Sequence, residues 1–150
     1  MRVAVVDLQT RKSFLRGPVW MPVYAAGAAA ALRQAGHDVC VIERGVLERR
    51  NGRDIADAMA RQISAHAADM VLFDVRFQTW PTFKRCATAL RAACPGAILL
   101  AGGRHSTLAP TECLQHCDAL DGALVGEPER ALRLLGEGQS ASTIPAIVTR

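Results

Sequence analysis

The fold is indicated most directly by residues 97–107, which read Ala97-Ile98-Leu99-Leu100-Ala101-Gly102-Gly103-Arg104-His105-Ser106-Thr107. An apolar run suited to a buried strand ends there in two glycines and a polar cluster. A second such junction follows, where Asp121-Gly-Ala-Leu-Val125 runs into Gly126-Glu-Pro-Glu129. Parallel strands end at one edge of their sheet, and open α/β sheets bind ligands at that edge. The two junctions therefore predict a ligand site at the carboxyl edge of a parallel sheet.

Short apolar runs alternate with helix-like segments along the whole chain. The predicted strands are 3–8, 39–42, 70–75, 97–101 and 122–125. The predicted helices are 23–35, 54–67, 81–94, 110–116 and 128–135. This alternation predicts an α/β, Rossmann-like fold with a doubly wound, parallel, five-stranded sheet and helices on both faces. The flavodoxin-like strand order 2-1-3-4-5 fits it best.

Three segments are predicted to lie outside these elements. Residues 45–52 are a polar linker, residues 102–107 are a loop, and residues 143–148 are either a sixth, edge strand or the start of a linker. We expect one domain over residues 1–150. Its compact fold spans about 1–138, and 139–150 form a C-terminal extension or the start of a linker.

Composition excludes several classes of protein. Half of the 150 residues are apolar, which excludes a disordered chain. No apolar run approaches the ~20 residues that span a bilayer, and the first strand is too short for a signal peptide. We therefore expect a cytoplasmic protein with no membrane partner. The five scattered cysteines favour reduced thiols over a disulfide framework. The net charge of +4 is spread along the chain, so we expect no nucleic-acid partner, although an anionic ligand is compatible.

Several well-known sites are absent from the sequence. It has no GxGxxG after the first strand, no GxxxxGK[ST] and no GxSxG. A phospho-receiver domain shares the strand order, but it needs an acidic pair near the first strand and a lysine after the fifth. Asp7 stands alone, and Gly126-Glu127 occupies the later position.

The remaining candidate residues each have a structural alternative. Gly102 and Gly103 let a ligand approach the backbone closely, but a tight turn with positive φ also needs glycine. Residues 104–107 add hydrogen-bond donors, although Thr107 is also a candidate helix cap. Gly126-Glu-Pro-Glu129 alone is typical of a helix start, where acids favour the helix dipole.

Cys113 and Cys117 fall on one face of a predicted helix. A metal site needs three or four ligands, and no second cluster is evident. We therefore interpret both as buried thiols and expect no metal site.

Taken in order, these motifs resemble the cobalamin-binding domain at the N-terminus of class B radical S-adenosylmethionine enzymes. The resemblance rests on Pro18 and Pro22 before an Ala-rich helix, on Ala35-Gly-His-Asp-Val39, on residues 102–110, and on residues 121–129. It covers essentially the whole chain. It implies a Rossmann-like fold that holds a corrinoid at the carboxyl edge of the sheet.

The resemblance also implies a role. Cobalamin would be bound base-off and supplied to a radical S-adenosylmethionine domain or subunit, most often for methyl transfer. Gly102 and Gly103 match the pair beside the nucleotide tail, and Gly126 and Glu127 match the loop after the fifth strand. The expected cofactor-binding residues are Gln9, Gly17, Pro18, Met21, Arg76, Phe77, Gly102, Gly103, Arg104, His105, Gly126, Glu127 and Pro128.

Two departures from related modules shape these expectations. Many cobalamin modules carry DxHxxG after the first strand, with a histidine that ligates cobalt; here Gln9 stands where that histidine would be. The CxxxCxxC motif of the radical barrel is absent. S-adenosylmethionine and the iron–sulfur cluster are therefore expected only on the partner, and the chain is not expected to be catalytic alone.

Arg76 follows the third strand and remains protonated, so it is not a metal ligand. We interpret it as a group over the lower face of the corrin, where it excludes water and leaves cobalt without a lower ligand. A solvent-facing arginine, or one paired with Asp74, is the alternative. Two other functions stay open for the chain: a regulatory or protein-interaction module without corrinoid, and a nucleotide-binding module that uses the same crevice.

Overall fold

The computed structural model describes residues 1–9, 22–51 and 55–150, without the side chains of 48–51. Within these residues six strands form one sheet in the order β2-β1-β3-β4-β5-β6. The strands are β1 (Arg2–Asp7), β2 (Asp38–Glu43), β3 (Met70–Asp74), β4 (Ile98–Gly102), β5 (Gly122–Leu124) and β6 (Ile147–Thr149). The first five pair in parallel, which confirms the predicted fold class and strand order.

Helices cover both faces of the sheet, as predicted. They are α1 (Val23–Gln34), α2 (Arg44–Asn51), α3 (Ile55–His66), α4 (Trp80–Ala93), α5 (Gly103–Leu108), α6 (Pro110–Gln115) and α7 (Pro128–Gly136). Buried residues of α1 and α7 share one apolar cluster with one face of the strands. Buried residues of α3, α4 and α6 share the other cluster. Each central strand is buried on both faces, which explains its nearly continuous apolar sequence.

The polar linker predicted over residues 45–52 is wrong for residues 45–51, which are helical. Helix α2 begins at Arg44 and runs to Asn51. Leu47 is buried in the same apolar cluster as α3 and α4. One apolar anchor among helix-forming Glu and Arg residues is enough for a short surface helix. Such a helix shows no apolar periodicity in the sequence.

The C-terminal segment forms a sixth, edge strand, which is one of the two alternatives predicted from the sequence, the other being the start of a linker. β6 pairs antiparallel with β5, and its Ile147 lies opposite Leu124. Ile144 and Ile147 are buried in the cluster that contains α1 and α7. Residues 139–150 therefore contribute to the core and cover the edge of β5.

Helices in the described part of the chain are all too short or too polar to cross a membrane. All five cysteines are unpaired. Cys113 and Cys117 are buried in the core, where burial raises the pKa of the Cys113 thiol to about 11. Such thiols behave as small apolar side chains.

Candidate functional site

The parallel register brings a row of polar residues to the carboxyl edge of the sheet. Asp7 pairs with Glu43 on one side and with Asp74 on the other, and Asp74 pairs with Gly102. Asp7 and Asp74 are only 7% and 2% exposed. Two carboxyl groups are thus buried side by side at the end of adjacent strands, where a core strand would end in apolar residues.

Gln9 and Arg76 contact this carboxyl pair. The Gln9 backbone N–H donates to Asp7 Oδ1 at 3.0 Å. Arg76 Nη2 lies 3.7 Å from Asp74 Oδ2. With its amide oxygen turned toward Arg76, the Gln9 side chain accepts hydrogen bonds from Nη2 at 2.7 Å and Nε at 3.2 Å. Gln9 and Arg76 are therefore direct partners, and Arg76 is held against the edge of the sheet rather than free in solvent.

Burial dominates the titration of both carboxyl groups. It raises the pKa of Asp74, and the charge of Arg76 offsets this only in part. Burial likewise raises the pKa of Asp7, with partial offsets from the Gln9 N–H and from Arg76. Like-charge repulsion from Asp7 also raises the pKa of Asp74, and repulsion from Glu43 raises the pKa of Asp7. The pair therefore binds protons more readily than isolated aspartates do.

A cavity of about 540 Å³ opens beside Asp74, between the start of α1, helix α5 and the loops after β3 and β5. We call it the edge cavity. Its lining includes five residues from the expected set, namely Arg76, Gly103, Arg104, Gly126 and Glu127. Tyr24, Asp74, Thr107, Leu108 and Glu129 also line it, although the expected set does not include them.

The glycine pair is required by its surroundings. A Cβ on Gly102 would collide with the Tyr24 hydroxyl, and a Cβ on Gly103 would collide with Asp74 Oδ1. Gly103 also has a φ of +81°, which side-chain-bearing residues rarely adopt. The positive φ of Gly103 therefore agrees with the turn explanation. The groups that lie close to the pair are Tyr24 and Asp74 of the protein itself, and the close approach of a ligand stays a prediction.

Tyr24 is one of the cavity residues that the expected set lacks, and its hydroxyl is the unusual group among them. Its hydroxyl oxygen is buried and has no hydrogen-bond partner of good geometry in the described residues. An unsatisfied buried polar group costs about 1–3 kcal/mol. Burial raises the pKa of the phenol, opposed in part by the nearby Gly103 N–H and reinforced by Asp74, Glu127 and Glu129. The available signal was a lone tyrosine in an Ala-rich helix.

Residues 103–108 form helix α5, not the predicted loop. Ser106 is fully buried, and its hydroxyl is shared between the carbonyl oxygens of Ala101 at 3.0 Å and Leu124 at 2.9 Å. Thr107 donates to the Gly103 carbonyl and so does not act as a cap for α6. Ser106 is thus a structural donor that ties α5 to the sheet and leaves no hydroxyl for a ligand.

His105 and Phe77 lie beside the edge cavity rather than in its lining. The His105 ring packs 4.9 Å from Trp80 and 6.2 Å from Phe77, between ring centroids. His105 Nε2 is buried without a partner in the described residues. Phe77 is 77% exposed. In the first turn of α5, the exposed side chain of Arg104 lines the cavity.

The loop after β5 is held against α5. The Gly126 N–H donates to Thr107 Oγ1 at 3.0 Å, and Gly126 has a φ of +80°. Glu127 precedes α7 in extended backbone and lines the cavity, whereas Pro128 is buried as the first residue of that helix. The expected residues Gly17, Pro18 and Met21 lie outside the described residues.

The described residues contain no group of three or more His, Cys, Asp or Glu arranged to hold a metal ion. The chemistry of the edge cavity is instead that of hydrogen bonding: carboxyl oxygens, one phenol and two guanidinium groups around a glycine-lined floor. Such a site suits a ligand with many polar groups and a flat surface that approaches the backbone.

Comparisons with known proteins agree with this geometry. The family model described as "B12 binding domain" matches residues 16–136. Among solved structures, the cobalamin-dependent S-adenosylmethionine radical enzyme OxsB with aqua-cobalamin bound is similar in fold, with a TM-score of 0.68 and 15% sequence identity. The match covers 97% of this chain but 20% of that enzyme, so the chain spans about a fifth of its length. A search of curated proteins returned no match.

A sheet with the predicted order, a glycine pair beside a polar cavity at its carboxyl edge, and a family match over most of the chain lead to one conclusion. The chain belongs to the B12-binding domain family, and its cofactor is cobalamin.

Proposed function

We propose that this domain binds cobalamin base-off, holds the nucleotide tail in the edge cavity, and presents the upper corrin face to a radical S-adenosylmethionine domain or subunit, most often for methyl transfer. Bound cobalamin supplies a cobalt centre that carries a methyl group. The chain's own residues bind and orient the cofactor and exclude water from its lower side.

The observation that carries this proposal is the edge cavity itself. It combines a floor without side chains at Gly103, a buried carboxyl at Asp74, and a buried Tyr24 hydroxyl that has no partner among the residues the structure describes. Cobalamin offers a flat base, a ribose hydroxyl and peripheral amides, which are partners for these groups. Asp74, Glu127 and Glu129 would accept from amide N–H groups, and Arg104 would face the tail phosphate.

The charges of the cavity disfavour the nucleotide-binding alternative. Asp74, Glu127 and Glu129 oppose the two guanidinium groups of Arg76 and Arg104. A nucleoside di- or triphosphate would place several negative charges beside these acids. The tail of cobalamin carries a single phosphodiester charge, so it meets less repulsion.

The histidines favour a cobalt centre without a protein imidazole. None of the four lines the edge cavity as the structure describes it. His105 follows β4 at the carboxyl edge of the sheet, and its ring packs against Trp80 and Phe77. Gln9 is engaged with Arg76 and Asp7. No histidine of the described residues is thus placed in the edge cavity to ligate cobalt, which supports binding without a protein imidazole.

Exposed apolar side chains at the same edge support a covering partner. Val23, Phe77 and Leu108 are 71%, 77% and 76% exposed, and Val23 and Leu108 lie in the lining of the edge cavity. Side chains of this kind are usually covered by a ligand or a protein. They suit a corrin ring capped by a second domain. They also keep the second candidate function open, a protein-interaction module without corrinoid.

Reconstitution with hydroxocobalamin tests the cofactor assignment. The purified chain is expected to retain a coloured corrinoid after gel filtration. After reduction to cob(II)alamin, its electron paramagnetic resonance spectrum should lack the nitrogen splitting of a coordinated base. Retention with nitrogen splitting would contradict base-off binding. A folded protein, by circular dichroism, that retains no corrinoid would favour the interaction module.

The partner role needs its own measurement. A radical S-adenosylmethionine protein encoded beside this chain should associate with the cobalamin-loaded domain in size-exclusion chromatography. The unloaded domain is the control. We expect tighter association with the loaded form, since the corrin supplies part of the contact surface. Equal association of both forms would argue that the corrin does not face the partner.

A further inference from the structure

The Tyr24 hydroxyl is a buried donor that still needs an acceptor. It lines the edge cavity, and it has no hydrogen-bond partner of good geometry in the described part of the chain. Native proteins rarely leave such a group unpaired, and each case needs an explanation such as strain, a bound water or ion, or a functional role. The position of the hydroxyl at the wall of a cavity makes a ligand the natural partner.

The surroundings allow this hydroxyl little freedom to find another partner. The Cα of Gly102 lies so close that a Cβ there would collide with the Tyr24 hydroxyl oxygen. The Gly103 N–H approaches from the same side and can only act as a donor. Backbone atoms of Gly102 and Gly103 therefore lie against the phenol oxygen. The hydroxyl proton remains available to an acceptor that enters the cavity.

The nearby acids keep the phenol protonated. Burial raises its pKa, and Asp74, Glu127 and Glu129 add to this effect. None of these three carboxyl groups accepts a hydrogen bond from the hydroxyl. Tyr24 is thus a permanent donor over the working pH range.

We propose that Tyr24 is a specificity-determining residue that reads the lower base of the corrinoid. In base-off cobalamin the ring nitrogen that otherwise binds cobalt is an unprotonated acceptor at neutral pH. The Tyr24 hydroxyl donates a hydrogen bond to this nitrogen. The inference rests on the proposed function and adds to it a selection among corrinoids by the chemistry of the lower base.

Three corrinoids separate this role from general tail binding. Cobalamin has the free ring nitrogen. A phenolyl cobamide has an aromatic lower ligand of similar size that lacks a ring nitrogen. Cobinamide lacks the tail altogether. We expect the wild-type chain to bind cobalamin more tightly than the phenolyl cobamide, and both more tightly than cobinamide.

The Tyr24→Phe variant tests the assignment, with dissociation constants measured by quenching of tryptophan fluorescence. One net hydrogen bond corresponds to a loss of roughly 3- to 10-fold in cobalamin affinity. Affinities for the phenolyl cobamide and cobinamide should change by less than about 2-fold. The exposed hydroxyl of Ser142 provides a matched control, and Ser142→Ala should leave all three affinities unchanged.

The other outcomes overturn the inference in distinguishable ways. An unchanged cobalamin affinity in Tyr24→Phe rejects a contact with the base. An equal loss for the phenolyl cobamide shows that the hydroxyl contributes to binding without reading the ring nitrogen, and this rejects the selection among corrinoids. Failure of the wild-type chain to bind any corrinoid rejects the proposed function and the role of Tyr24 together.

Thermal unfolding of the corrinoid-free protein supplies a second readout. Because the hydroxyl has no partner in residues 1–9, 22–51 and 55–150, Tyr24→Phe should leave the Tm unchanged or raise it. A marked fall in Tm would mean that the hydroxyl has a partner within the protein, and this too would overturn the inference.

Discussion

Among single residues, Asp74 shows most clearly that burial opposes the charge of a carboxyl group. It is 2% exposed, neighbours the buried Asp7 in the sheet register, and has Arg76 at 3.7 Å as its cationic partner. Groups with perturbed pKa values cluster at functional sites, where burial and neighbouring charges tune their chemistry. The carboxyl pair is therefore better explained by the edge cavity than by stability.

Asp74→Asn should stabilise the corrinoid-free protein at neutral pH. A raised pKa in the folded state means that the native chain binds more protons than the unfolded chain above the unfolded value of 3.8. Stability therefore falls as pH rises from 3.8 through the folded pKa. Because the variant has no carboxyl group at this position, its stability should fall less as pH rises. Its free energy of unfolding at pH 7 should therefore be higher than that of the wild type.

Urea unfolding at a series of pH values measures this effect. Asp7 also has a raised pKa, so the slope should shrink in Asp74→Asn without vanishing. Asp118→Asn removes a carboxylate whose side chain is 94% exposed and serves as the control. Parallel curves for Asp74→Asn and the wild type would show that Arg76 already compensates the buried charge.

Arg76→Ala should change the lower coordination of bound cobalamin. If Arg76 covers the lower corrin face, its removal admits water to the cobalt. Optical and electron paramagnetic resonance spectra should then report a new lower ligand, and the Co(II)/Co(I) potential should become more negative. Arg104→Ala removes a second cavity arginine and should leave both unchanged. An unaltered spectrum and potential in Arg76→Ala would leave the ion pair with Asp74 as the role of this residue.

Helix α5 shows how an element can depend on contacts outside it. Its sequence begins with glycine and contains Ser and Thr, which are typical of loops. What stabilises it is the Ser106 hydroxyl, shared between carbonyl groups of Ala101 and Leu124, and the bond from Gly126 to Thr107. These contacts place α5 across the ends of β4 and β5 and so shape one wall of the edge cavity.

Ser106→Ala should therefore destabilise the protein by about 1–3 kcal/mol, since two buried carbonyl groups lose a shared donor. Ser142→Ala, at an exposed hydroxyl, should stay within about 0.5 kcal/mol of wild type. Urea denaturation with circular dichroism measures both. An effect of Ser106→Ala no larger than that of Ser142→Ala would show that water replaces the hydroxyl.

At the scale of the whole molecule, β6 closes one edge of the sheet. It pairs antiparallel with β5, and Arg150 Nη2 donates to the Leu114 carbonyl oxygen at 2.6 Å. Ile144 and Ile147 fill the cluster beneath α1 and α7. The short strand β5 would otherwise present an unpaired edge.

Removal of residues 139–150 should lower the free energy of unfolding by roughly 3–6 kcal/mol, counting about 1.5–3 kcal/mol for each buried isoleucine. That is a large share of the stability of an ordinary domain, about 5–15 kcal/mol. Arg150→Ala is the milder control. Denaturant unfolding of the 1–138 fragment measures the loss, and an unchanged midpoint would mean that these residues are only an extension.

The pattern of apolar runs was sufficient to predict the five parallel strands, and the flavodoxin-like arrangement that fits it best has their observed order. The family was predicted from the resemblance of the ordered motifs, and the family match confirms it. The spacing of apolar residues and the positions of glycines are properties of the local sequence, and they do not depend on tertiary contacts. Helix α5, the pairing of β6 and the role of Tyr24 depend on residues far apart in the sequence: Ser106 on Leu124, Ile147 on Leu124, and Tyr24 on Gly102. Folding alone brings these groups together, and so the wall and the unpaired donor of the edge cavity appear only in three dimensions.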